Sequence, residues 1–315
     1  MLSPHSHRRA IPAGARVGFW RARDGWMLRR FDWPADPSPR GSILFQAGRG
    51  DVFEKYLETL AHWHHQGWSI SAFDWRGQGG SGRLSGDPRV GHVEDFALYV
   101  ADFEEFWRVW RKGAVGPTVA IGHSMGGHLV LRAMAEGCIA PDAAVLVAPM
   151  LGLKTPVGAG FGEWAARRIG GRGDGARRAW RGNEHPATTA TRQALLTHDD
   201  ARYRDEIHWQ TVQPDLVLGP PSWRWLIEAF ASTRLLRADP RLADVRVPVL
   251  MLLAEYDQLV SARAALRVAA RLPDARVVRF GRECAHEILR EVDAVRDRAL
   301  AEIDAFLAAR LGGRP

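Results

Sequence analysis

Short, almost unbroken apolar runs alternate along the chain with longer stretches in which apolar residues return every three or four positions. Ser42 to Gln46, Trp68 to Phe73, Thr118 to Ile121, Ala143 to Ala148, Arg246 to Leu253 and Ala275 to Phe280 are runs of the first kind. Apolarity on both faces of so short a segment predicts strands covered on both sides. Val52, Phe53, Tyr56, Leu57 and Leu60 return at helical spacing, as do Phe96, Val100, Phe103, Trp107 and Trp110 within Val93 to Trp110. Helices are also predicted over Leu129 to Ala135, over Ala262 to Leu272 and from near Arg290 to Leu311. This alternation predicts an α/β fold, a mostly parallel, doubly wound sheet with helices on both faces. Ahead of it, Val17 to Trp20 and Trp26 to Phe31 flank Arg23-Asp24-Gly25, a hairpin signal.

The rhythm stops between 150 and 240. That stretch has helical patches, an arginine cluster (Arg167, Arg168, Arg172, Arg177, Arg178, Arg181) and five tryptophans, but no strand-like run of comparable quality. It reads as a helical cap inserted over the carboxyl ends of the strands. The chain then divides into a polar tail over 1–15, a core over 16–149 and 241–315, and a cap over 150–240. Within the cap, Trp209, Trp223 and Trp225 are the candidates to line an apolar substrate channel.

Chemistry concentrates at one turn. The run ending at Ile121 meets Gly122-His123-Ser124-Met125-Gly126-Gly127, and a helix follows. A Gly-x-Ser-x-Gly pentapeptide between strand and helix holds its serine on a sharp, strained turn, and side chains at Gly122 or Gly126 would collide with neighbouring elements. Ser124 is therefore the candidate nucleophile. A serine needs a base, and the base needs an acid to orient it, on loops after later strands in the order Ser, acid, His. Asp257 follows the run ending at Leu253, and His286 follows the last run. Glu255 stands too near the strand end and Asp244 precedes the strand. Of the twelve histidines, His5 and His7 lie in the tail, and His62, His64 and His65 on a helix. His185, His198 and His208 lie in the insertion, His128 follows the nucleophile, and the elbow turns His123 away from Ser124. Met125 N–H and Arg49 N–H, after Gly48 in the loop beyond Phe45, are the candidate oxyanion donors.

Charge alters the picture little. The formal charge is +7, and only Lys55, Lys112 and Lys154 are lysines, so the basicity is arginine. No nucleic-acid motif accompanies it, which leaves an anionic lipid surface or a phosphate-bearing substrate as the partner it suits, with no nucleic acid and no obligate protein partner. Cys138 and Cys284 form neither a disulfide framework nor a metal-ligand spacing. The first residues lack the apolar core of a signal peptide, and no run reaches membrane-spanning length. These features place the chain in the cytoplasm, with peripheral contact at the inner membrane face left open.

The elbow, the Asp74-Trp75-Arg76-Gly77-Gln78-Gly79 loop followed by Ser81, and the positions of Asp257 and His286 resemble the α/β-hydrolase superfamily. Within it they are similar to the monoacylglycerol lipase and lysophospholipase branch. Leu218-Gly219-Pro220-Pro221-Ser222-Trp223-Arg224-Trp225 looks like a lid segment of lysophospholipase L2-like members. The chain departs from many relatives in carrying Gln46-Ala47-Gly48-Arg49 where they have His-Gly. The resemblance implies a serine hydrolase that cleaves the ester of a single-chain lipid, a lysophospholipid or monoacylglycerol, without metal or cofactor. The same residues also suit a non-lipid ester, a thioester, a carbon–carbon bond or acyl transfer, and a non-catalytic binding protein stays open. Insertion arginines are the groups expected to meet a phosphate head group.

Overall fold

The computed structural model describes residues 8–155, 158–180 and 189–312. His5, His7, Arg181 and His185 lie outside them. Among the described residues, eight strands form one sheet in the order β1-β2-β4-β3-β5-β6-β7-β8. The strands are β1 (Arg16–Arg21), β2 (Met27–Trp33), β3 (Gly41–Gln46), β4 (Trp68–Phe73), β5 (Thr118–His123), β6 (Ala143–Val147), β7 (Val249–Ala254) and β8 (Ala275–Phe280). β3 to β8 pair in parallel, while β1 and β2 form the expected hairpin and join β4 antiparallel.

Alternation along the strands builds two cores. Leu44, Phe73, Ala120, Leu146 and Met251 face helices α2 (Phe96–Gly113), α3 (Met125–Ala135) and α8 (Ala262–Ala269). Ile43, Ile70, Ile121, Val145 and Leu250 face α1 (Leu57–His65) and α9 (Asp293–Leu311). Both faces being covered, the strands read as continuous apolar runs. α2 starts later than its apolar pattern suggests because Asp95 caps it, its Oδ1 accepting the Ala97 N–H at 2.7 Å. In the described part of the tail, Arg8 and Arg9 each pair with Asp205, at 2.8 and 2.6 Å.

Between β6 and β7 the chain forms α4 (Ala159–Gly170), α5 (Thr189–Leu196), α6 (Asp200–Val212) and α7 (Trp223–Ala238). Helices α4 and α7 pack together through Ala166, Ile227 and Phe230. α6 instead lies against the core flank, where Arg202 pairs with Glu58 at 2.7 Å and with Asp293 at 2.7 Å. No helix among the described residues is long and apolar enough to cross a membrane.

Candidate active site

The turn between β5 and α3 stands in backbone geometry that few side chains adopt: Ser124 has φ 51° and ψ −116°. Three backbone bonds hold it there. Its N–H donates to Val147 O at 3.0 Å, and its carbonyl accepts from His128 N at 3.0 Å and Met150 N at 2.9 Å. The flanking glycines permit the approach. A Cβ on Gly126 would lie 2.3 Å from the Gln46 carbonyl oxygen, and one on Gly122 would lie 2.6 Å from the Gly126 carbonyl carbon.

Three loops then converge. Ser124 Oγ lies 2.9 Å from His286 Nε2, and His286 Nδ1 lies 2.6 Å from Asp257 Oδ2. The Asp257 carboxylate only accepts, so Nδ1 carries the proton and Nε2 is left to receive one from the serine. Asp257 is also bound by the amides of Leu259 at 2.7 Å and Val260 at 3.1 Å. Burial favours its neutral form, but His286 and these amides outweigh burial and hold its pKa below the usual carboxylate range. Burial likewise disfavours a charged imidazole, yet the Asp257 charge wins and raises the His286 pKa. Of the competing acids, Glu255 is paired with Arg279.

The prospective oxyanion donors border the serine. The Met125 amide opens α3, and Gly48 passes so close that a Cβ there would be 3.2 Å from Ser124 Cβ. The Asp74–Ser81 loop braces this segment: Trp75 Nε1 donates to Ala47 O at 2.9 Å, and Gln78 Oε1 accepts the Gly50 N–H at 2.7 Å. Arg49 reaches toward the segment between β6 and β7, where Nη2 donates to Gly219 O at 2.6 Å and the guanidinium lies 5.0 Å from the Trp225 ring.

A cavity of about 780 Å³ opens above Ser124 and His286, between the sheet and the inserted helices. Its walls are mostly apolar, including Met150, Leu153, Leu196, Leu226, Phe230 and Val260. The volume falls within the roughly 300–1,000 Å³ of small-molecule sites. Trp223 and Trp225 line it. Trp209 does not: α6 lies on the flank, and its indole joins the core beneath α1 and α9 while Nε1 donates to Arg8 O at 3.1 Å. The described members of the arginine cluster are also elsewhere. Arg167 pairs with Glu163, Arg178 with Asp87, and Arg177 bonds the carbonyls of Ile169 and Asp174. None of Arg167, Arg168, Arg172, Arg177 and Arg178 borders the cavity.

Several residues without a local sequence signal surround the site. His123, expected to point away from Ser124, lines the same cavity with its ring 4.8 Å from that of His286. Its Nδ1 meets Tyr56 OH at 2.9 Å, and that hydroxyl donates to Asp51 Oδ2 at 2.9 Å. Lys55 is the hub below: it binds Asp51, Glu287 at 2.8 Å and Glu206 at 3.0 Å. Only the Asp51–Lys55 spacing of four residues is a local signal, since Glu206 and Glu287 come from remote stretches. On the opposite side, Lys154 Nζ donates to the Asp257 carbonyl at 2.7 Å. No group of three metal-ligating side chains stands together among the described residues.

A family model described as serine aminopeptidase, S33, matches residues 37–293. The chain is 31% identical to lysophospholipase L2 of Escherichia coli over 94% of its own length and 91% of that protein's. Among solved structures, a soluble variant of the Saccharomyces cerevisiae monoglyceride lipase superposes with a TM-score of 0.77 at 18% identity, covering 95% of this chain and 97% of that one. The Paleococcus ferrophilus monoacylglycerol lipase does so with a TM-score of 0.70 at 19% identity, over 90% and 99%. The parallel sheet, the serine elbow and these likenesses together establish that the chain belongs to the serine aminopeptidase S33 family of α/β hydrolases, in its lysophospholipase L2 and monoacylglycerol lipase branch.

Proposed function

We propose that the protein hydrolyses the carboxylic ester of a single-chain lipid, a lysophospholipid or a monoacylglycerol, through an acyl-enzyme. The observation that carries this reading is a hydrogen-bonded Ser124–His286–Asp257 relay opening into a mostly apolar cavity of about 780 Å³. Ser124 Oγ attacks the ester carbonyl carbon as its proton passes to His286 Nε2, and Asp257 stabilises the imidazolium that forms. The amides of Arg49 and Met125 receive the negative oxygen. His286 then returns the proton to the departing alkoxide, and water, activated by the same imidazole, releases the fatty acid. Trp223 and Trp225 contribute to the acyl wall.

A chain-length series of p-nitrophenyl esters tests this. Each methylene buried is worth about 0.8 kcal/mol, so kcat/KM is expected to rise by up to about fourfold per methylene until the cavity is filled. Fatty acid release from a lysophospholipid or monoacylglycerol is expected alongside. Highest turnover on the acetate, with none on either lipid, would move the function to a small non-lipid ester.

The same reading puts the cap against an anionic lipid surface. Phe161 and Trp164 on α4 are each 56% exposed, with ring centroids 5.3 Å apart and ring planes tilted by 39°, and have the exposed Arg168 and Arg172 nearby in the chain. Aromatic residues beside arginines suit a membrane interface. Replacing both by serine is expected to reduce co-sedimentation with phosphatidylglycerol vesicles at least tenfold; undiminished sedimentation would remove α4 as the contact.

A further inference from the structure

The cavity contains positive charge that the hydrolysis of a neutral ester does not use. Arg192, on α5, and Arg49, in the loop after β3, both line it. Arg192 Nη2 is bound to Glu206 Oε1 at 2.8 Å, but its Nη1 is buried with no hydrogen-bond partner among the described residues. The nearby carboxylates do not leave the region acidic. Asp51, Glu206 and Glu287 all meet Lys55, and Arg290 adds a second cation to Glu287 and stands 3.5 Å from Glu206. Burial draws the Arg49 pKa down to about 10, and the charge on Arg192 acts in the same direction. Burial also opposes the charge on Arg192, but Glu206 and Glu287 keep it a cation. Two cations lining one mostly apolar cavity are relieved by an anion placed with them.

The fold indicates which part of the substrate that anion belongs to. The last turn of α5 is tied to the His286 loop, with Leu195 O accepting the His286 N–H at 3.3 Å and Leu196 O accepting the Glu287 N–H at 2.8 Å. Arg192 is one turn earlier on the same helix. In the proposed reaction His286 must face the departing alkoxide, because it delivers that proton. Arg192 therefore stands on the leaving-group side, where a head group would be, rather than at the far end of an acyl chain. In a lysophospholipid the ester carbonyl carbon and the phosphorus are separated by as many bonds as separate an arginine's amide nitrogen from its guanidinium carbon. A phosphate thus lies within one side chain's reach of the oxyanion loop.

We propose that Arg192, assisted by Arg49, forms a phosphate-recognising subsite that selects a lysolipid with a phosphate head group over a neutral monoacylglycerol. This rests on the hydrolase reading above but is measured separately from it. Arginine suits the task because its planar fork holds two phosphate oxygens at once. Arg192→Gln removes the charge while Glu206 keeps Lys55 and Arg290, so the variant is expected to fold.

The test compares wild type, Arg192→Gln and Arg192→Lys on a lysophosphatidylglycerol and a monoacylglycerol of the same chain, both below micelle concentration. The ratio of kcat/KM between the two is expected to fall at least tenfold in Arg192→Gln, mainly through KM, and to recover in part in Arg192→Lys. A ratio unchanged within twofold would overturn the assignment. A second arm does not depend on lipid turnover: competitive inhibition of p-nitrophenyl butyrate hydrolysis by glycerol 3-phosphate is expected to weaken at least fivefold in Arg192→Gln. Inhibition that is equal in the two proteins would overturn the subsite. Equal wild-type inhibition by inorganic phosphate would assign the pair to a free ion and overturn head-group selection. If wild type cleaves neither lipid, the lipid-ester reading fails, and inhibition of p-nitrophenyl butyrate hydrolysis still decides whether a phosphate site exists.

Discussion

Replacing Ser124 by alanine is expected to lower kcat on every ester the protein cleaves by at least about ten-thousand-fold, since members of such a relay act as a unit and losing the nucleophile costs nearly as much as losing all three. The fold is expected to survive. The bonds that shape the elbow are made by the backbone of residue 124, to Val147 O, His128 N and Met150 N, and alanine keeps them all. What is lost is one hydroxyl and its 2.9 Å contact with His286, worth about 1 kcal/mol. A small change in thermal midpoint with activity abolished therefore separates a nucleophile from a structural serine. Residual turnover above about one per cent would assign attack to another group.

Asp257→Asn carries the second largest expected effect, a fall in kcat of about 10⁴, and it has a signature of its own. In the wild type, burial lowers the His286 pKa and the Asp257 charge more than offsets it, so the imidazole titrates above its ordinary value. Only neutral imidazole can take the Ser124 proton. The kcat/KM profile is expected to rise with pH through an inflection above about 6.5, the usual histidine value. The asparagine variant removes the charge but leaves the burial. Its inflection is expected to move to lower pH, so its remaining activity extends further into acid. An inflection that stays in place would show that Asp257 does not face the titrating imidazole.

How much of the fold and the site is legible in the sequence depends on how local each signal is. The loops bearing Ser124, Asp257 and His286 follow β5, β7 and β8, and each begins where an apolar run stops, so parallel pairing brings the three residues to the carboxyl end of the sheet. The elbow glycines are equally plain, because a Cβ at Gly126 has nowhere to go but the Gln46 carbonyl. The stretch between β6 and β7 is harder to read. α6 has no clear apolar stripe, and nothing in its spacing tells that Trp209 turns toward α1 and α9 and not toward Ser124. The arginine cluster stands out by density, yet Arg167, Arg177 and Arg178 are satisfied on Glu163, Asp87 and local carbonyls, and Arg168 and Arg172 are exposed. Arg192 stands alone in sequence and is found only because α5 is pinned to the His286 loop. The Lys55 hub is hidden for the same reason: three carboxylates meet it, two of them from far along the chain.

The most direct measurement of the central claim is covalent labelling of the wild-type protein with a long-chain alkyl fluorophosphonate, followed by peptide mass spectrometry. The reagent places phosphorus where the ester carbonyl would be and its alkyl chain where the acyl chain would be. The account expects one adduct per chain, on the peptide containing Ser124, formed faster as the alkyl chain lengthens and suppressed by added lysophospholipid. An unmodified Ser124, or an adduct on a different serine, would contradict it.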